Sequence, residues 1–239
     1  VLTASMAVSH NAERGLVALS LPGHRGGTKD ILRATKLASS KTRNLRHFAD
    51  EFFPTEARGN LFQPEPGCSD ATFVGSAADM AGLASMMLNC VAEELSSVSG
   101  ATGIAHLVVQ PHIIPQLRRG QRPYARLELA ATKVLNEQCA GYEVRLSGDA
   151  VRQLHAQINE PPTHYQEGSE TGGLLFGERD DSIGVIWIDE VSGPPPDSKA
   201  SPRKFLCGIR GTGATNRRLK KSSRLSTAFV GMWHTHPSS

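Results

Sequence analysis

The sequence predicts a mixed α/β chain of the α+β class, and three observations carry that expectation. Short apolar or alternating runs bounded by glycine and proline recur along it, residues 15–21 and 142–146 among them. Longer stretches without proline, 76–95 and 149–158, read as helices. The length of 239 residues with 39% hydrophobic content suits a packed core in one large domain or two small ones.

Taken in order, Gly15-Leu16-Val17-Ala18-Leu19-Ser20-Leu21 is a buried strand that Pro22-Gly23 ends. Gly23, Gly26 and Gly27 flank His24 and Arg25 in a loop whose spacing fits neither phosphate-cradling glycine pattern. Thr28 is placed to cap a helix through Ile31, Leu32, Thr35 and Leu37, and 41–53 reads as helical. A Pro/Gly-rich loop bearing Cys68 leads into helix 76–95, where Gly75, Ala78, Gly82 and Ser85 suit close packing. Residues 105–114 read as a strand that Pro111 interrupts, hence an edge strand or two pieces. The basic turn 118–123 is the expected boundary of a first segment, 1–120, and a linking helix is expected over 121–140.

From Gly141 the pattern sharpens. Tyr142-Glu143-Val144-Arg145-Leu146 alternates as a half-buried strand. Ser147 or Asp149 caps a helix with Val151, Leu154, His155 and Ile158 on one face, and Pro161-Pro162 ends it. Strands follow at 174–176, 183–191 and 203–209, then a helix over 215–225 and a last strand, 228–236.

Composition excludes several classes. A net charge of +3 does not argue for a nucleic-acid partner. The four cysteines (68, 90, 139 and 207) form no CxxC pair, which argues against a cysteine zinc knuckle or a disulfide framework and suits a reducing cytoplasm. No apolar run is long enough to span a membrane. Between Lys199 and Arg224 stand nine Lys or Arg and no acidic residue, which reads either as a solvated face or as a surface that steers an acidic partner.

The chemistry is concentrated at two places. His234 and His236 are two apart at the end of a strand, so both imidazoles leave on one side and can reach one ion. Glu170 stands just before a short apolar strand in Glu170-Thr171-Gly172-Gly173-Leu174-Leu175-Phe176-Gly177. Together with His234-Thr235-His236-Pro237, this stretch resembles the JAB/MPN metalloprotease family, the JAMM-motif deubiquitinases. That resemblance implies a mixed sheet with a helix on each side, spanning 141–239. It implies Zn2+ held by His234 and His236, with Glu170 passing a proton from water to the leaving amine. It also implies a substrate amide or isopeptide bond of a ubiquitin-like protein. The family's third ligand, an Asp, and its oxyanion Ser would follow Ser239. A start at Val1 and an end inside the motif therefore lead us to expect a piece of a longer protein. Non-catalytic MPN scaffolds lose the glutamate or the histidines, and this chain keeps all three.

The loop with Cys68 and the small-residue helix after it are similar to the C-terminal part of ThiF/E1-like adenylyltransferases. This second resemblance covers 1–120 and implies an alternative activity, ATP-dependent activation of a ubiquitin-like or sulfur-carrier protein. Cys68 would be the thioester residue, and the nucleotide site would precede Val1.

Overall fold

Consecutive apolar residues become strands covered on both faces, and alternating ones become strands covered on one. The computed structural model describes residues 2–22, 27–56, 74–96, 103–136 and 141–236. The chain divides into two compact units, Val1–Ala131 and Thr132–Ser239. Its class is mixed α+β, as expected.

The first unit is an antiparallel sheet in the order β1 (Thr3–Val8), β2 (Arg14–Ser20), β3 (Gly103–Val109), β4 (Tyr124–Leu129). Leu16, Ala18, Ala105 and Leu107 face α1 (Thr28–Lys41) and α2 (Arg46–Phe52) through Ile31 and Phe48. Val17, Leu19, Ile104 and Val108 face α3 (Ala77–Ser96) through Leu83 and Met87. Two covered faces explain why β2 and β3 carry no polar alternation.

Several expectations are corrected here. Residues 121–140 were expected as a linking helix, but β4 and β5 (Lys133–Asn136) occupy the stretch. Tyr124-Ala-Arg-Leu-Glu-Leu129 alternates with period two, and Ala125, Leu127 and Leu129 turn towards the core. The unit boundary accordingly falls after Ala131 rather than at the basic turn. The interrupted strand is no edge: β3 lies between β2 and β4, and Pro111 opens a 3-10 turn after it. Helix α1 is capped at Gly27, whose N–H donates to Asp30 at 2.9 Å, one residue before the expected Thr28. Ala78, Gly82 and Ser85 of α3 are exposed, and Leu83 and Met87 make its contact instead. Cys90 packs against that cluster as expected of a core thiol. Cys68 lies outside the described residues.

The second unit holds β6 (Glu143–Leu146), α4 (Gly148–Asn159), β7 (Gly172–Asp180), β8 (Val185–Val191), a hairpin of β9 (Lys199–Ser201) and β10 (Lys204–Leu206), α5 (Thr212–Ser222) and β11 (Ala228–His234). The sheet order is β11-β7-β8-β6-β5, antiparallel except where β6 meets β8. Ser147 caps α4, its Oγ accepting from Ala150 N at 3.1 Å. On one face, Leu146, Ile188, Leu175 and Trp233 pack with Ala150, Val151 and Leu154 of α4. On the other, Leu174 and Phe176 pack with Leu219 of α5 and with Cys207. The expected helix on each side of a mixed sheet is thus present. The expected strand over 203–209 shortens to β10, which pairs with β9 outside the main sheet.

Candidate metal centre

The site forms where β7 begins and β11 ends. Antiparallel pairing sets Met232 opposite Leu174, Trp233 opposite Gly173 and His234 opposite Gly172. Directly opposed residues share a face. His234 therefore emerges on the α5 side with Leu174, while Trp233 goes to the α4 side and donates Nε1–H to Ser192 O at 3.0 Å. Beyond the strand the seam continues: Thr235 N donates to Thr171 O at 2.7 Å, and Thr171 N donates to Thr235 Oγ1 at 3.0 Å. Thr235 is thereby tied back to β7, and the histidines on either side of it project together.

Glu170, His234 and His236 each offer a ligand atom, and these atoms all lie within 4.8 Å of one another. His236 Nδ1 stands 3.5 Å from Glu170 Oε1. The two imidazole rings meet edge to face with centroids 4.5 Å apart. Glu170 is only 7% exposed, whereas both histidines are open to solvent. The sequence-derived trio is therefore assembled at one point. Among the described residues no other cluster of three or more His, Cys, Asp or Glu side chains is arranged to share an ion.

The backbone around the trio explains its glycines. A Cβ at Gly173 would run into the carbonyl oxygen of Ser192, the same oxygen that Trp233 uses. At Gly172 a Cβ would meet the ring of Phe205 at 2.5 Å.

That contact shows what sequence reasoning missed, the β9–β10 hairpin as a wall of the site. Ser201 O accepts Glu170 N–H at 3.0 Å, and Phe205 rests on Gly172. Asp197 ties the two ends of the hairpin together. Its carboxylate accepts from Arg210 N at 2.9 Å and from Ile209 N at 3.1 Å, and those bonds hold it below the usual carboxylate range. An aspartate after Pro194-Pro195-Pro196 was the one available signal, since Asp is a common acceptor of backbone bonds in loops. Burial pushes the Cys207 thiol up, with Asp197 adding to the effect, so this cysteine is a packing residue. His155 and His164 are exposed and stand apart from the trio.

No protein-family model matches this chain. Among curated proteins it is similar to a CD-NTase/cGAS isopeptidase of Enterobacter hormaechei subsp. hoffmannii (strain UCI 50), 27% identical over 96 residues. The match covers 40% of this chain and 49% of that protein, so the chain spans about half the length of the curated relative it matches. No helix among the described residues is long and apolar enough to cross a membrane. The chain is thus a distant relative of a bacterial isopeptidase, and it carries a His/Glu group suited to a metal ion.

Proposed function

We propose that the second unit is a zinc-dependent isopeptidase centre of the JAB/MPN kind. The observation that carries this reading is the convergence of Glu170, His234 and His236 within 4.8 Å. The two imidazoles suit zinc, which takes imidazole nitrogen in hydrolytic sites, and a JAB/MPN centre adds an aspartate as the third ligand. Nitrogens bonded to zinc at about 2.0–2.1 Å stand roughly 3.3 Å apart, so small rotations of the two exposed rings bring His234 and His236 to that spacing. His234 and His236 are the metal ligands in this reading, and Glu170 is the catalytic residue.

A bound zinc ion supplies Lewis acidity and draws the pKa of water towards neutrality. Glu170 accepts a proton at its carboxylate as water adds to the amide carbon, then returns it to the departing amine as the C–N bond breaks. Its backbone bond to Ser201 O fixes where the side chain starts, and its burial keeps bulk water from competing for the carboxylate. The substrate in this reading is an amide or isopeptide bond of a ubiquitin-like or sulfur-carrier protein; the relative being an isopeptidase supports the isopeptide bond.

The test is zinc titration and hydrolysis of an isopeptide-linked protein conjugate by the full-length protein. His234→Ala and His236→Ala should each abolish stoichiometric zinc. Glu170→Gln should keep zinc and lose roughly 10²–10⁴ in turnover. Zinc uptake that ignores both histidines would sink the proposal.

A further inference from the structure

Seven of the nine cations in the basic run of the second unit are uncompensated among the described residues. Lys199, Arg203 and Lys204 of the hairpin carry no ion pair among the described residues, and neither do Arg217, Arg218, Lys220 and Lys221 of α5. Other arginines of the same unit do find acids, Arg145 with Glu143 and Arg179 with Asp181. Complementing a helix C-terminus accounts for Lys220 and Lys221 in the last turn of α5, but not for Arg217, Arg218 or the hairpin.

An apolar shelf runs between these two basic elements. Phe229 pairs opposite Phe176 and Met232 opposite Leu174, which places both on the α5 side of β11, the side His234 leaves from. Met232 is 60% and Phe229 43% exposed. One end of the shelf is fixed to α5, because Asn216 Oδ1 accepts Phe229 N–H at 2.8 Å. The other end reaches His234, across from the Gly172 on which Phe205 of the hairpin rests. A strip with open apolar side chains and cationic ends, its nearest carboxylates being the buried Glu170 and the backbone-bonded Asp197, suits a polypeptide rather than a small solute.

We infer that this strip is a docking surface for an acidic polypeptide carrying apolar side chains, laid along β11 with its scissile end at the metal centre. The inference rests on the isopeptidase reading for the direction of the chain, and on charge complementarity for the partner's sign. Glutamates or aspartates of the partner meet Arg217 and Arg218 at one end and Arg203 and Lys204 at the other. Its apolar side chains cover Met232 and Phe229.

The experiment is fluorescence anisotropy of the full-length protein with a labelled glutamate/leucine dodecapeptide. A lysine/leucine counterpart and a single-stranded DNA oligomer serve as competitors. We expect the acidic peptide to bind, to weaken steeply with salt, and to lose at least tenfold in affinity in Arg217→Glu/Arg218→Glu. Met232→Ser should weaken binding with an unchanged salt slope. Equal binding of the basic peptide, displacement by DNA at lower concentration, or unchanged binding by the double variant would each overturn the inference. Zinc titration of the same variants separates the two proposals. Zinc bound without peptide defeats the surface alone, and peptide bound without zinc defeats the metal centre alone.

Discussion

Thr171 and Thr235 bond each other three times across the seam where β7 begins and β11 ends: Thr235 N–H to Thr171 carbonyl at 2.7 Å, Thr171 N–H to Thr235 hydroxyl at 3.0 Å, and that hydroxyl to the Thr171 carbonyl at 3.3 Å. The residue between the two histidines is thus held by the residue next to Glu170. Thr235→Val removes the acceptor for Thr171 N–H and should cost about 1 kcal/mol of stability. Partners that orient ligands typically matter about 10–100-fold in metal affinity, so zinc should weaken within that range. Thr235→Ser keeps the oxygen and should behave like the parent. Calorimetric zinc titration of the three proteins decides it: equal affinities in all three would remove the seam from any role in the site.

Gly173 makes a sharper prediction about packing. Gly173→Ala places a methyl group against the Ser192 carbonyl, which is backbone and already bonded to Trp233. The expected loss is roughly 1–3 kcal/mol, with a red-shifted tryptophan emission as the indole bond breaks. Gly231→Ala, where nothing lies within 4 Å of the added carbon, is the control and should unfold close to the parent temperature.

Asp197 controls the hairpin. Bonds from Arg210 N and Ile209 N favour its ionised form and depress its folded pKa. The clamp is therefore fully present above the ordinary aspartate range and is lost as pH falls through the folded value. At neutral pH, Asp197→Ala should speed tryptic cleavage after Arg203 and Lys204 severalfold, with Asp197→Asn between it and the parent. An unchanged cleavage rate in the alanine variant would show that the hairpin stands without its clamp.

Acid should loosen the first unit before it touches the second. Glu94 is buried on α3, 3.0 Å from His106 Nε2 and bonded by the Arg126 guanidinium, which lowers its pKa. Burial lowers the pKa of His106 despite that carboxylate, and Tyr124 OH lies 2.9 Å from its Nδ1. Both shifts have one sign, since the folded state binds fewer protons than the unfolded. Stability held above about pH 6.5 is lost first as His106 charges, then further below about pH 4.5 as Glu94 protonates. Hydrogen exchange should show β3 and α3 losing protection between pH 7.5 and 5.5 while β7 and β8 keep theirs. Equal losses in both units would contradict this order.

Much of this was legible in the chain. Residues 15–21, 142–146 and 228–234 carry their strands on apolar runs or period-two alternation, and Ser147 announces the start of α4 as a cap. The trio was legible because a histidine pair at strand spacing and a glutamate before a Gly-rich strand each leave a local trace. The hairpin was not legible, because β9 and β10 span only three residues each and depend on Asp197, whose partners Ile209 and Arg210 lie 12 and 13 positions away. β4 was hidden for another reason. The charged residues of Tyr124-Ala-Arg-Leu-Glu-Leu129 suit a helix as well as a strand, and only pairing with β3 decides between them.

The bulge of β11 has a consequence of parity. Pairing with β7 slips between Phe229 and Gly231, so Phe229 and Met232, three apart, share a face that an unbroken strand would give to residues two or four apart. The extra residue, Val230, acts as a phase shift for everything after it. Were Val230 to pair with Leu175 and no bulge to form, Trp233 would fall opposite Gly172 beside α5, and His234 would be turned to the opposite face. Deleting Val230 would therefore restore plain alternation and leave Met232 and His234 on the α5 side, with the pairing to β7 unchanged. The histidine pair is thus addressed by the slip in pairing as much as by its own spacing.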